Sequence, residues 1–425
     1  MKRRYDLLYA IGAIVSSPVL AFGLVRSGKW RTDWRGRFGR TPELPADSRA
    51  TLLLHGVSVG EINATRELVR RLGEQSSPPV RLVISATTNT GFDRAVELFG
   101  QDHAVVRFPF DFSWMVGRFL DRIRPQALVL MELEVWPNLA QECEARGIPL
   151  IVINGRLSDS SFGTYRWAKG WVRPMFDSLT AVAAQTEEYA ERFRELGTPP
   201  DRVSVTDNMK WDTVVLKDEV EGAAELAFAM GIDSSRPLVV AGSTGPGEEA
   251  LLIRERPEHV QLMLVPRKPE RFEEVSRLLP GMIRRSHRPD GFGSFEGGVG
   301  GDLFVLDTMG ELTKAYALAD VAIVGRSFVP LGGSDPIEPV ALGKPTIIGP
   351  RHENFRDVVS ALDEGGGIRV SEKPMKAAME LLSNEADARK MVEAGREVIL
   401  RRQGATERHI QMLLDLLEGG TDGSA

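Results

Sequence analysis

Four charged residues stand where a chain of alternating strands and helices commonly places its chemistry. Glu61 closes the run His55-Gly-Val-Ser-Val-Gly-Glu61, directly after an apolar stretch and at the start of an amphipathic one. A carboxylate there can serve as a general base, which needs only to be ionised and within reach of a hydroxyl. The position suits a helix-capping acid equally well, because a Glu in a first helical turn complements the helix dipole. Glu132 and Glu134 flank Leu133 just beyond the apolar run Ala127–Met131. Carboxylates are seldom placed at a buried strand end for packing. One can orient an acceptor or share a proton, and the other can cap the next helix, whose first turn accepts Pro137. Lys210, in Asn208-Met-Lys-Trp-Asp212, can meet an anionic leaving group or simply be solvated.

The second half of the chain offers groups for a phosphate rather than a proton. Gly242-Ser-Thr-Gly-Pro-Gly247 is a turn whose glycines would let backbone amides approach an anion. It lacks the Gly-Lys-Ser/Thr ending of a P-loop and the Gly-x-Gly-x-x-Gly of a nicotinamide site, so neither chemistry is expected. Pro266-Arg267 ends a strand, and the guanidinium is a fork for phosphate or carboxylate. Met309-Gly310-Glu311 begins a helix. Asp335-Pro336-Ile337-Glu338 follows a Gly-rich turn, and Glu338 suits the ribose hydroxyls of a nucleotide. No Asp-x-Asp occurs, so phosphate charge must be met by Arg, Lys and helix N-termini rather than by a bound metal.

The elements that must carry these groups follow from periodicity. Short apolar runs at 51–55, 81–86, 127–131, 150–153, 181–184 and 203–205 alternate with amphipathic helical stretches, and the pattern restarts at 238–241, 261–265, 303–306, 321–324 and 345–348. Strands alternating with helices give a parallel sheet covered on both faces. At 425 residues the chain exceeds one ordinary core, which fits two such domains. HGVSVGE and AGSTGPGEE echo one another, so the expectation is two Rossmann-like domains facing across a cleft. The boundaries read as 27–212 for an acceptor-binding domain, 213–236 for a linker, 237–400 for a nucleotide-sugar domain, and 401–425 for a C-terminal helix and flexible tail. Residues 288–301, rich in Gly, read as an irregular loop.

Composition narrows the partners. A net charge of −6 argues against nucleic acid. The charge is uneven, however: residues 1–40 carry nine Lys/Arg against Asp6 and Asp33, a net of +7. That zone suits an anionic surface. Within it, positions 7–25 form 19 residues without a charge, about enough to cross a hydrocarbon core of roughly 30 Å. Residues 1–26 are therefore expected to be a membrane anchor or a helix lying in the interface; a signal peptide or a buried core helix are the alternatives. Cys143 is the sole cysteine, which excludes an internal disulfide, and the six histidines show no zinc spacing.

Taken together, the segments WRTDWRGRFGR, HGVSVGE, ELEVWPNL, NGRLSDSSF, NMKWD, GSTGPGEE, LVPRKPERF, DTMGEL and GGSDPIEPVALGKPTIIGP resemble, in order and over most of the chain, the 3-deoxy-D-manno-octulosonic acid (Kdo) transferases of lipid A assembly, a glycosyltransferase family 30 type. The resemblance implies a two-domain GT-B fold and an inverting, metal-independent transfer, without cofactor, from CMP-Kdo to a lipid A precursor of the lipid IVA type. It implies catalytic domains on the cytoplasmic side of the inner membrane. It makes Glu61 the base, Glu132 and Lys210 transition-state stabilisers, and Pro266, Arg267, Met309, Gly310, Glu311, Asp335, Pro336, Ile337 and Glu338 the CMP-binding segments. Three positions depart from the family pattern: Ser334-Asp335 replaces His-Asn, Arg326 replaces Gly, and Lys268 replaces His. A carboxylate at 335 beside a phosphate is unfavourable unless paired, with Arg326 or Lys268 as candidates. A related GT-B enzyme using another nucleotide sugar and a non-catalytic lipid-binding relative are the rival readings.

Overall fold

The computed structural model describes residues 4–11, 32–76, 79–287 and 301–419. The chain forms two compact units, Met1–Thr213 joined by Gln403–Ala425, and Val214–Arg402.

The first unit is built on seven parallel strands: β1 (Thr51–Gly56), β2 (Arg81–Ala86), β3 (Ala104–Arg107), β4 (Ala127–Met131), β5 (Leu150–Gly155), β6 (Ala181–Ala184) and β7 (Val203–Val205), in the spatial order β3-β2-β1-β4-β5-β6-β7. Its strands are apolar without alternation because both faces are covered. Leu53, Leu128, Leu130 and Val152 pack into one core. Their chain neighbours Leu52, Leu54, Val129 and Ile151 pack into the other. Successive side chains of a strand point to opposite faces, which is why one apolar run feeds two cores.

The second unit repeats the plan with β8 (Leu238–Thr244), β9 (Gln261–Pro266), β10 (Ile283–Arg284), β11 (Leu303–Val305), β12 (Val321–Val324), β13 (Thr346–Ile348) and β14 (Arg369–Val370), in the order β10-β11-β9-β8-β12-β13-β14. In each sheet the strand order reverses beside the first strand, at β1/β4 and at β8/β12. Ligands of open α/β sheets bind beyond the carboxyl ends of strands at such a reversal.

The structure departs from the sequence reading in three places. β3, β10 and β14 were not anticipated; each has two to four residues and lies toward a sheet edge. The stretch 213–236 is more than a linker, since it carries the helix Ala223–Met230, whose Leu226 and Met230 are buried in the core of the second unit. The helix Ala405–Gly419 is no separate appendage: Ala405, Ile410 and Leu413 are buried in a core of the first unit.

Residues 4–11 are helical and are tied to the first unit. The Asp6 carboxylate accepts from the Ser113 amide at 2.8 Å and from Asn138 Nδ2 at 3.0 Å, and the Tyr9 hydroxyl donates to Asp111 at 3.0 Å. Among the described residues no helix is long and apolar enough to cross a membrane. The expected anchor falls mostly on 12–31, outside the described residues, as do the Gly-rich 288–300 and the tail 420–425.

Candidate functional site

Glu61 lies in the first turn of the helix Val59–Gln75 and closes a capping box. Its carboxylate accepts from the Val57 amide at 2.8 Å, from the Ser58 hydroxyl at 2.8 Å and from the Ser58 amide at 3.3 Å. The capping reading of the sequence is therefore observed, and the capping bonds fix the carboxylate in place while it stays half-buried. Each carboxylate oxygen has two lone pairs, so the cap leaves accepting capacity for a proton.

Beneath this turn, His55 is buried and stacked on Phe108 with ring centroids 3.8 Å apart. Its ring meets the Ser85 and Thr87 hydroxyls at 3.0 and 3.3 Å. Burial holds its pKa down to about 3, so the imidazole is neutral. The 87–88 turn is held in turn by arginines: Arg37 donates to the Thr87 carbonyl, and Arg107 to Thr88 at 2.8 Å. Thr88 then fixes the Glu61 loop, its hydroxyl donating to the Val57 carbonyl at 2.6 Å.

Glu132 follows β4, the strand paired with β1. The strand ends at Met131, and Glu132 takes the left-handed region at φ 60°. Both carboxylates lie past the strand end, and Glu132 and Glu134 belong to the same electrostatic cluster. Burial raises the Glu132 carboxyl above its ordinary value, nearby Glu61 adds to this, and Arg156 and Lys210 oppose it. Glu134 is raised by burial and by Glu61, and accepts from Trp136 Nε1 at 2.9 Å. The cap foreseen for one of these two carboxylates is supplied by Asp111, whose carboxylate accepts from the Asn138 and Leu139 amides at 3.1 and 2.8 Å.

Lys210 joins the cluster from beyond β7 through a buried polar chain that sequence reasoning missed. Asn154 sits at φ 51° near the end of β5, and its Oδ1 accepts from the Met209 amide at 3.0 Å. Gln185 donates to the Asn154 carbonyl at 2.9 Å and accepts from Asn208 Nδ2 at 3.0 Å. The Asn154 amide donates at 2.9 Å to Nε2 of His409, on the helix Ala405–Gly419. His409 Nδ1 meets the Ala405 carbonyl, so Nδ1 carries the proton and Nε2 is the acceptor. Asn and Asp are among the few non-glycine residues that enter the left-handed region readily, which is the one sequence signal Asn154 carried.

The donor-side candidates all lie on the second unit, beyond β9, β11 and β12. Arg267 is exposed directly after Pro266. Met309 is 67% exposed, and Gly310 takes φ 85°. Glu311 accepts from Arg285 Nε at 3.1 Å and from the Thr308 hydroxyl at 2.5 Å. Glu338 accepts from Thr313, on the helix that Glu311 begins, which clamps the 309–311 and 335–338 segments together. Asp335 accepts from the Ile337 amide at 3.0 Å, two residues beyond Gly333 at φ 80°; Arg326 donates to the Leu331 carbonyl at 3.0 Å.

The turn after β8 is not the phosphate cradle its glycines suggested. Glu248 is 1% exposed and fills it, accepting from the amides of Gly245, Arg326 and Phe328 at 2.8, 2.6 and 2.9 Å. Gly242 is required for packing, because a β-carbon there would lie 2.0 Å from the Tyr316 hydroxyl.

One face of the first unit is aromatic and basic. Trp34, Phe38, Phe110 and Trp114 are 39–50% exposed and pack ring against ring at 6.3–6.4 Å. Arg37 lies over Phe110 and Arg118 over Trp114.

The chain is similar to known proteins. A family described as 3-deoxy-D-manno-octulosonic-acid transferase (kdotransferase) matches residues 32–213. A 3-deoxy-D-manno-octulosonic acid transferase of Bordetella pertussis is 34% identical over 414 residues, covering 92% of this chain and 93% of that one. Its counterpart in Haemophilus influenzae is 30% identical over 408 residues, 93% of each. Among solved structures, Anabaena Alr3699/HepE in complex with UDP superposes with a TM-score of 0.59, covering 87% of this chain and all of that one at 13% identity, a likeness of fold alone. The fold is thus that of GT-B glycosyltransferases, two parallel-sheet α/β domains, and with relatives this similar over nearly its whole length the chain belongs to the 3-deoxy-D-manno-octulosonic acid transferase family.

Proposed function

We propose that this glycosyltransferase moves Kdo from CMP-Kdo to a hydroxyl of a lipid A precursor with inversion, using Glu61 as base. The observation that carries the reading is the convergence of Glu61, Glu132 and Lys210 at the carboxyl ends of the paired strands β1 and β4. Glu61 takes the proton of the acceptor hydroxyl as its oxygen attacks the anomeric carbon. The bond from that carbon to the phosphate oxygen breaks, and CMP leaves with the electron pair. Positive charge develops on the sugar, which a carboxylate such as Glu132 stabilises, and negative charge on the phosphate, which a cation such as Lys210 stabilises. On the second unit, the 266–267, 309–311 and 335–338 segments bind the nucleotide. In this reading the phosphate charge is met by protein cations rather than by a metal ion.

The lipid acceptor implies work at a membrane surface, on the cytoplasmic side of the inner membrane. The exposed rings of Trp34, Phe38, Phe110 and Trp114, with Leu7, Leu8 and Ile11 exposed on the 4–11 helix, support that placement. Tryptophan and basic residues favour the headgroup region.

Glu61→Gln keeps a side chain able to complete the capping box but removes the base. It is expected to lower turnover by several powers of ten while CMP binds as in the wild type and in preference to UDP. Removal of a general base typically costs about 10² to 10⁴. Near-normal turnover in Glu61→Gln would sink the assignment of the base; preference for UDP would sink that of the donor.

A further inference from the structure

The proposed donor presents a problem of charge. An ulosonic acid carries its carboxylate on the same carbon that is attacked, so an anion must enter beside Glu61, Glu132 and Glu134. Like charges in a poorly hydrated site repel strongly, and a carboxylate is accepted there only against a matching cation. Lys210 is assigned above to the departing phosphate. The cluster holds a second cation, Arg156, which enters neither the capping nor the proton transfer.

Arg156 is placed with some care. The Glu132 amide donates to the Ile153 carbonyl at 3.0 Å, and the Arg156 amide donates back to the Glu132 carbonyl at 3.1 Å. The β4–β5 pairing thus continues past both strand ends and sets Arg156 directly beside Glu132. Asn154 fixes both cations: it stands two residues before Arg156, and its Oδ1 holds the Met209 amide, one residue before Lys210. Asn154 is itself 1% exposed and in the left-handed region, so the turn that presents Arg156 is built into the core. Arg156 remains half-buried, with its charge acting on Glu132 ahead of that of Lys210.

We infer that Arg156 binds the carboxylate on the reacting carbon of the donor sugar and so selects an ulosonic acid over an ordinary aldose. The inference rests on the proposed donor class. A guanidinium matches a carboxylate with two parallel hydrogen bonds, which a lysine cannot supply. With its carboxylate held on the Arg156 side, the sugar is oriented about its anomeric carbon, and an ordinary sugar brings no carboxylate to match the guanidinium.

The test compares CMP-Kdo with its carboxamide analogue on the full chain, in the wild type and in Arg156→Ala and Arg156→Lys. Arg156→Ala is expected to lower kcat/KM for CMP-Kdo by about 10- to 100-fold, the usual effect of losing a hydrogen bond to a charged group. For the carboxamide the same substitution should change kcat/KM by less than a few fold, because the charge it meets is gone. Binding of CMP itself should not change. Arg156→Lys keeps the charge and guards against loss of the fold; it should lie between the two and show the same donor dependence. Equal losses with both donors would mean that Arg156 only offsets Glu132 and would overturn the inference, as would no loss at all. A wild type that transfers nothing from CMP-Kdo would instead remove the donor reading on which the inference stands.

Discussion

At the start of the helix Val59–Gln75, Glu61 accepts from the amides of the preceding turn, and at the start of Glu248–Glu255, Glu248 does the same for Gly245. The echo between HGVSVGE and AGSTGPGEE is therefore a shared capping device, and burial separates the two uses. Glu248 is enclosed and receives three amides, whereas Glu61 is half-buried beside other charges. Ser58 ties the cap to the proposed base, because its hydroxyl donates to Glu61 Oε1 at 2.8 Å and its oxygen receives the Glu61 amide at 3.4 Å. Ser58→Ala is expected to cost about 1 kcal/mol of stability, as losing an N-cap usually does. It should also lower kcat several-fold at unchanged donor KM, since the carboxylate loses one of the groups that aim it. Thermal melts and steady-state rates measured together check this; a stability loss with unaltered kcat would show the cap to be structural only.

Among the elements, the central strands were legible because fully apolar runs bounded by turn residues have few alternative readings. The short strands β3, β10 and β14 were not, because two to four residues carry too little pattern. The turns after β1 and β4 could be picked out for their carboxylates. The Asn154–Gln185–His409 chain could not, since it joins residues far apart in sequence and only burial makes them matter. The helix Ala405–Gly419 is the clearest case: its apolar face was readable, but not the unit it would join. It contributes His409, whose pKa burial lowers to about 4 from its ordinary 6.5. Because the folded value lies below the unfolded one, the stability of this site is complete above pH 6.5 and declines as pH falls toward 4. The gap corresponds to about 3 kcal/mol. His409→Gln keeps an acceptor without a titrating ring, so its melting temperature should fall less than that of the wild type between pH 7 and pH 5. His55, shifted in the same direction, will leave part of the acid sensitivity in place. Parallel pH profiles for the two proteins would rule out this role for His409.

For the molecule as a whole, charge and aromatic exposure point the same way. The basic zone of residues 1–40 contributes Trp34 and Phe38 to the exposed aromatic face, and Arg37 reaches from there to the Thr87 carbonyl under the Glu61 turn. Binding to anionic phospholipid vesicles should exceed binding to neutral ones and should weaken as salt is raised. Trp34→Ala with Trp114→Ala should reduce co-sedimentation with anionic vesicles several-fold and leave the melting temperature nearly unchanged, because both rings are at least 40% exposed. Undiminished co-sedimentation would exclude this face as the contact.

The return of the helix Ala405–Gly419 to the first unit also orders events during synthesis. When translation has passed Arg402, the second unit has its whole sequence, while the first still lacks the residues that fill its core and cap its polar chain. Domains tend to fold as units while the chain emerges. Here the unit translated second is the first to be complete, and the support for Lys210 waits for His409. A ribosome that stalls before the final helix would release a chain without the group that steadies the segment carrying Lys210, and such a prematurely ended product is expected to be inactive.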